Sequence, residues 1–429
     1  MDYRERLVEP VLAEYMQQLP ALFVTGPRAV GKSTTLARRA ATIVQLDEEA
    51  QATAFRADPD AALRGLAEPV LLDEWQNVPG VLGAIKRAVS ADPTPGRFVV
   101  TGSVNAELEN EVWPGTGRLT RIPMLPMTVR EQRGRSDQHG FFERALAGDL
   151  SVPADTPDLR GYVDLALTGG FPATALQLSG RPRTAWLEGY IQDLLTHDVE
   201  QAAEQRRRNR RGAGPARRRR HDYQKLRMYF EAYAVNSAGV VHDNTLYEAA
   251  RINRITAQSY EDLLADLFVI DQIPAWAANR LARLAMQPKR YLIDPALITA
   301  AVRLDANGVM RDGNLLGRVI DTFVVSQLRA EASVAGSRPR LHHLRTKEGR
   351  KEVDVIAELA GGQLIAFEIK ADAAPKRHDA RHLIWLRDTF PEKVALGIVF
   401  HTGPRVFELD RRVIAAPISA LWGPSNSAG

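Results

Sequence analysis

Residues 26–35 read GPRAVGKSTT, and no other stretch constrains the fold as tightly. Gly26, Gly31, Lys32 and Ser33 fit the spacing G-x-x-x-x-G-K-[ST]. The run ALFVT before it has strand character, and STTLARRAAT after it reads as a helix. In that order, glycines let the backbone curl so that its N–H groups face phosphates. The helix N-terminus adds partial positive charge. Lys32 reaches the β- and γ-phosphates and the Ser33 hydroxyl ligates Mg²⁺. Arg28 and Thr34 complete the expected nucleotide-binding set. The competing reading is a glycine turn that happens to precede a helix.

Nucleotide hydrolysis also needs an acid on a neighbouring strand and a group that orients water. Pro69 and the apolar run Val70–Leu72 lead into Asp73-Glu74. Asp73 is expected on Mg²⁺, with Glu74 activating water. The alternative is an acidic strand end that caps the next helix. The absence of an N-K-x-D guanine-reading motif favours ATP over GTP.

At 429 residues the chain is long for one core, so two or three domains are expected. Hydrophobic content of 45% and charged content of 25% are ordinary for a soluble globular protein. No apolar run approaches the roughly 18 residues that span a bilayer. The start, MDYRERLVEP, lacks the apolar core of a signal peptide. The expected location is the cytoplasm, with no membrane partner. Cysteine is absent, which excludes disulfides, Cys-zinc sites and thiol catalysis. The nine histidines show no HExxH or paired spacing. The net charge is +4, carried mostly by arginine.

Residues 1–20 read as an amphipathic helix, with Leu7, Val11, Leu12, Tyr15 and Met16 near one stripe. IVQLD, PVLLDE and RFVVTGS then alternate with helix or turn signals, the rhythm of a parallel sheet covered by helices. From 141 to about 300 the chain reads as mostly helical. It is interrupted by RRRNRRGAGPARRRR (206–220), which has nine arginines and no acid and is expected to be flexible. DNTLYEAARINRITAQSYEDLLADLFVIDQI follows with the pattern of a helix-turn-helix and a wing. Beyond 313 come a helix, LLGRVIDTFVVSQLRAE, and the strand candidates RPRLHHLRT, KEVDVIAEL, QLIAFEIKA and KVALGIVF, with RHLIWLRDTF helical between the last two. The tail GPSNSAG reads as disordered.

The chain resembles the bacterial AAA ATPases whose C-terminal half is catalogued as a domain of unknown function, DUF 4143. The residues that carry the resemblance are GPRAVGKSTTL (26–36), DEWQNVPG (73–80), TGS (101–103), and GR followed by PMLPMTVRE (117–131). GGFP (169–172), YIQDLLTHDV (190–199), PKRYLIDPAL (288–297), EVDVIAE and FEIKA extend it along nearly the whole chain. Two departures stand out: Ala29 where such proteins usually carry Gln, and the arginine-rich insert. The resemblance implies a γ-phosphate sensor at Ser103 or Asn105, unless TGS is only a turn. Arg118 in GTGRLTR is a candidate arginine finger or a surface arginine. AAA-type sites commonly lie between subunits, so a homo-oligomer, a ring among the options, is expected. GGFP is read as a tight turn with one anchored phenylalanine and no chemistry.

A second constellation lies near the C-terminus. Alternation along LIAFEIKA puts Glu368 and Lys370 on one face, and a hairpin would bring Asp354 beside them. Two carboxylates and a lysine form the D…ExK core of the PD-(D/E)XK nucleases. The carboxylates would bind Mg²⁺ and the lysine would stabilise the attacking hydroxide or the transition state. Asp321 in GRVIDTF is placed to add a third acid. The resemblance implies a restriction-endonuclease-like fold here. A cross-strand ion pair without catalysis is the alternative.

DNA is the expected partner. Arg206–Arg208, Arg210, Arg211 and Arg217–Arg220 can neutralise phosphates. RINRITAQSYEDLLADL is the expected reading helix, with Arg254, Thr256, Gln258 and Ser259 near its N-terminal end. A solvated loop and a helical core that contacts only protein are the plainer readings. Trp276, in the wing-like loop, is read as packing rather than base stacking. The expected fold class is therefore α/β, with a helical region between two α/β domains. A P-loop NTPase (AAA-type) domain with a parallel sheet spans 1–140. A helical and winged-helix region spans 141–305, a restriction-endonuclease-like α/β domain 306–422, and a disordered tail 423–429. The expected activity is Mg²⁺-dependent ATP hydrolysis coupled to DNA binding, cleavage or remodelling. The rival is an ATP-driven switch or assembly factor whose C-terminal domain binds a protein partner and cuts nothing.

Overall fold

The computed structural model describes residues 3–102, 117–136, 139–209, 222–284, 286–346 and 350–423. The first sheet contains β1 (Ala21–Thr25), β2 (Thr42–Gln45), β3 (Val70–Asp73), β4 (Phe98–Gly102) and β5 (Thr120–Pro123) in the order β2-β3-β4-β1-β5. Every pairing is parallel, so all strands open at the same edge. The central strands β1, β3 and β4 are buried at every position, as expected of continuous apolar runs covered on both faces. Alternation divides β1 between two cores. Ala21 and Phe23 pack with Trp75 and Ile85 on one side, while Leu22 and Val24 pack with Leu12 and Leu36 on the other.

The expected helix over 1–20 is shorter. Only Glu9–Met16 is helical, started by a proline in its first turn. The residues before it form a strap instead, because Arg6 uses its guanidinium on loop carbonyls. Arg6 donates to Val30 O (2.8 Å), Leu125 O (2.7 Å) and Glu131 Oε1 (2.9 Å).

The middle of the chain is mostly helical. Helices Tyr223–Val235, Asp243–Ala249 and Arg254–Asp266 precede the antiparallel pair β6 (Ile270–Ile273) and β7 (Lys289–Leu292). An isolated bridge from Gly239 to Arg290 lies beside that pair. Helix Val199–Asn209 takes up the start of the arginine run. Positions 210–221 lie outside the described residues.

The second sheet contains β8 (Arg340–Arg345), β9 (Glu352–Glu358), β10 (Leu364–Ile369), β11 (Val394–His401), β12 (Phe407–Asp410) and β13 (Val413–Pro417), in the order β12-β13-β11-β10-β9-β8. Strands β8, β9 and β10 pair antiparallel, whereas β10, β11 and β13 run parallel. The helix Arg381–Thr389 makes the crossover from β10 to β11. Strands β12 and β13 carry no counterpart in the sequence reading. β12 is a short, largely exposed edge with little apolar signal. Phe367 and Phe400 stack across this sheet at 5.6 Å, and Phe141 and Phe142 pack on that pair. One hydrophobic core thus joins residues of the middle region to the second sheet.

Candidate functional site

The GPRAVGKST loop leaves the carboxyl end of β1 and enters the helix Lys32–Ala37. Its geometry needs its glycines. Gly31 sits at φ 95°, a left-handed position. A Cβ on Gly26 would lie 2.1 Å from Met124 O, on the strand-end backbone beside it. Ala29 also takes a left-handed φ, 60°, which stores strain in the loop. Lys32 is 5% exposed, and its Nζ donates to Gly26 O (3.0 Å) and Pro27 O (2.9 Å). Burial pushes its ammonium down to about 8, against the upward pull of Glu74 and Asp73.

Those acids stand where the sequence places them. Asp73 ends β3, and the Ser33 hydroxyl donates to its carboxylate. Burial raises the Asp73 carboxyl, and the bond from Ser33 opposes that rise. Glu74 follows with φ 51° and ψ 50°, an uncommon backbone for a side chain of its size. Its carboxylate is held by the Gln76 amide. A glycine at 102 makes room for this turn, since a Cβ there would meet Gln76 Oε1 at 2.5 Å. Ser33 and Asp73 together offer hard oxygen donors beside a phosphate loop, the set that Mg²⁺ takes with nucleotide phosphates. Thr34 is exposed at the helix start.

The loop is also gripped from the helical region. Arg28 forms an ion pair with Asp198, at the end of the π-helical turn Leu194–Asp198. Pro172, from GGFP, stands beside Gly31. Next to the loop is a cavity of about 240 Å³ lined by Tyr3, Thr34, Met127, Pro172, Leu176 and Gln177 among others. GGFP, read from the sequence as a turn without chemistry, contributes Pro172 to this wall. The backbone N–H of Gly170 donates to Asp294 Oδ2 at 2.6 Å, and Phe171 is fully buried.

Two other expected residues fall elsewhere. Ser103 and Asn105 lie outside the described residues. Arg118 precedes β5, whose Thr120 pairs with Leu22, so it stands at the opposite end of the sheet from the loop that follows Thr25. Its Nε donates to Ser90 Oγ at 2.9 Å.

The structure gathers the second constellation. Asp354 of β9 accepts from the N–H of Ile369 at 3.0 Å, and Lys370 Nζ donates to Glu368 Oε1 at 2.7 Å. Asp321, on helix Gly313–Val334, joins them. The arrangement differs from the open metal centre expected of Asp321, Asp354 and Glu368. Lys289 of β7 inserts its Nζ between Asp321 Oδ2 (2.7 Å) and Asp354 Oδ1 (3.2 Å). Among the described residues, no group of three or more His, Cys, Asp or Glu is arranged to hold a metal ion. Tyr291 donates to Asp321 Oδ1 at 3.0 Å. Burial and the neighbouring Asp354 push Glu368 up to about 8. In Asp354 burial acts upward, but Lys289 and the Ile369 N–H outweigh it and hold the carboxyl below its ordinary value. The i, i+2 spacing of Lys289 and Tyr291 puts both on one face of β7, but the sequence reading gives this stretch neither a strand nor a chemical role.

In the middle region, Arg254 and Gln258 are exposed on helix Arg254–Asp266, whereas Thr256 and Ser259 are half-buried. Trp276 is buried core, as read from the sequence. It packs edge-on to Phe390 at 5.3 Å and donates its backbone N–H to His343 O. Among the described residues, no helix is long and apolar enough to cross a membrane.

Three family profiles match the chain. One described as an AAA domain covers residues 18–132, and domains of unknown function DUF8612 and DUF4143 cover 159–308 and 316–421. Uncharacterized proteins of Mycobacterium bovis and Mycobacterium tuberculosis are each 27% identical over 417 residues, covering 96% of this chain and 82% of theirs. The Walker-type ATPase of Pyrococcus abyssi aligns over 71% of this chain and 99% of its own, at 14% identity and a TM-score of 0.40. The phosphate loop on its parallel sheet lies within the first match and the second sheet within the last: the chain carries an AAA domain at its N-terminal end and a DUF4143 domain at its C-terminal end.

Proposed function

We propose that this chain is a Mg²⁺-dependent ATPase that couples hydrolysis to work on DNA. The observation that carries the hydrolase reading is the meeting of Lys32, Ser33, Asp73 and Glu74 at one sheet edge. Lys32 stabilises the phosphates, Ser33 and Asp73 hold the metal, and Glu74 orients water. The cavity beside Thr34 and Leu176 takes the nucleoside. Since Arg118 stands at the far end of its own sheet, its role as an arginine finger requires a second copy of the chain.

The DNA reading draws on the helix-turn-helix with its β6–β7 pair, read as a winged helix whose exposed Arg254 and Gln258 face a groove. The test is ATP turnover with and without single- and double-stranded DNA at two salt concentrations, with Lys32→Ala as blank. Stimulation that fades with salt supports DNA as substrate. Turnover indifferent to DNA rejects it.

One observation favours a second reading, in which the C-terminal domain is a non-catalytic docking unit of an ATP-driven switch. Lys289 fills the space between Asp321 and Asp354, where strand cleavage would need a metal. Metal-dependent loss of supercoiled plasmid, abolished in Glu368→Ala, would exclude this reading.

A further inference from the structure

Arg28 is the third residue of the phosphate loop, and the ion pair it forms is lopsided. Its side chain is 49% exposed, whereas that of Asp198 is 7% exposed. The pair stands among the groups assigned to phosphates and water. Burial lowers the Lys32 ammonium, and Arg28 is close enough to add to that fall. Burial raises the Asp198 carboxyl, Arg28 opposes the rise, and Glu74 is close enough to add to it. Asp198 closes the π-helical turn Leu194–Asp198, set without a break between helices Gly180–Asp193 and Val199–Asn209. Such turns are mostly single inserts in α-helices and are frequent at functional sites. The same helical run carries Tyr190, which packs against Phe171 of GGFP at 4.8 Å. The Tyr190 hydroxyl is buried with no hydrogen-bond partner, yet Asp198 is close enough to act on it electrostatically. A donor left in this way costs its desolvation and calls for an explanation. A carboxylate that changes partners supplies one.

Arg28 also has a rival acceptor. A γ-phosphate carries more charge than a carboxylate and accepts from a guanidinium through two parallel bonds. We propose that the Arg28–Asp198 pair is a nucleotide-state switch: the γ-phosphate of ATP takes Arg28 from Asp198, whose carboxylate then accepts from the Tyr190 hydroxyl. ADP, which lacks that phosphate, leaves the pair in place. The helical run 180–209 carries the change away from the nucleotide, towards the arginines at 206–208. The inference rests on the ATPase reading and adds the element that distinguishes ATP from ADP.

The test is calorimetric titration of the full chain with Mg²⁺ and either ADP or the non-hydrolysable imidodiphosphate analogue of ATP. Asp198→Asn, which frees Arg28, is expected to tighten the analogue by about fivefold and to change ADP by less than about twofold. Arg28→Gln is expected to weaken the analogue at least about fivefold more than ADP. Hydrogen exchange of the wild-type chain gives a second readout that needs no variant and stands even where Asp198→Asn fails to fold. Amides of 194–198 are expected to exchange faster with the analogue bound than with ADP bound. In Asp198→Asn the faster pattern should already be present with ADP. Weaker binding of the analogue by Asp198→Asn, an unmoved ratio of the two affinities, or equal wild-type exchange with both nucleotides overturns the switch while leaving the ATPase reading intact. A wild-type chain that binds neither nucleotide overturns both.

Discussion

Asp294 accepts a 2.6 Å hydrogen bond from the backbone N–H of Gly170, a residue far away in sequence and two positions before Pro172, which lines the cavity beside the glycine-rich loop. Its other oxygen accepts from the N–H of Ala296 at 2.9 Å. Glycine is needed at 169, where φ is 72° and a Cβ would meet Asp294 Oδ1 at 2.7 Å. The PKRYLIDPAL stretch therefore serves two places. Lys289 reaches the C-terminal acids, and Asp294 holds the GGFP turn whose Pro172 stands against the phosphate loop.

This carboxylate should make stability pH-dependent in an unusual direction. Burial raises Asp294 from 3.8 to about 6, and the two N–H donors only partly oppose it. The folded chain therefore holds a proton that the unfolded chain has lost between about pH 4 and pH 6. Over that window the contribution of Asp294 falls as pH rises, by on the order of 3 kcal/mol, and above it the deficit is constant. Asp294→Asn removes the dependence. Urea unfolding at about pH 5 and pH 7 should show the wild type losing stability relative to the variant at the higher pH. Parallel shifts in both proteins would refute the assignment.

Glu74→Gln separates binding from hydrolysis. The left-handed backbone and the Gln76 contact aim this side chain, and glutamine keeps the shape while losing the charge proposed to orient water. Turnover is expected to fall by roughly 10²–10⁴-fold, with nucleotide affinity unchanged. A variant that retains most turnover would move the role to another residue. Lys32→Ala, by contrast, should weaken binding itself.

How far the sequence revealed all this depends on the distance between partners. The phosphate loop and Asp73-Glu74 are local patterns whose geometry follows from a few adjacent residues. The hairpin that joins Asp354 to Glu368 needs only strand alternation and a short turn, and it too was legible. Lys289 was not, because nothing local says that β7 packs against the helix bearing Asp321. The pairings Arg28–Asp198 and Asp294–Gly170 likewise arise from tertiary packing between distant segments. The shortened first helix has the same origin. Arg6 gains three carbonyl and carboxylate partners by leaving helical geometry.

A buried ion pair ties the AAA domain to the C-terminal one. Arg130 Nη1 lies 2.9 Å from both oxygens of Glu331, and the side chains are 4% and 2% exposed. Glu331 also accepts from the N–H of Phe141 at 3.0 Å. Arg130→Met leaves that carboxylate buried without its cation, at a cost of about 3–5 kcal/mol. Adding Glu331→Gln removes the stranded charge and should recover a large part of the loss. Denaturant unfolding of the two single variants and the double variant measures the coupling. Additive losses would mean that the pair contributes nothing as a pair.

Arg118 gives the test of assembly. The register Leu22–Thr120 puts it before β5 begins, while the phosphate loop starts after Thr25. At a strand rise of about 3.3 Å per residue, the two ends are separated by roughly 13 Å along the strands, before the loop itself is counted. Arg118 is exposed and donates to Ser90, also on the surface. A finger role therefore requires delivery to a neighbouring copy. Turnover per subunit should then rise with protein concentration and level off as copies associate. Arg118→Ala should abolish the rising component and leave nucleotide binding intact. Mixing Arg118→Ala with Lys32→Ala supplies the decisive comparison. The first retains a working loop and the second a working finger, so mixed assemblies should recover activity that neither variant has alone. A mixture no more active than the sum of its parts, with turnover independent of concentration, would show that each chain hydrolyses ATP without its neighbour's arginine.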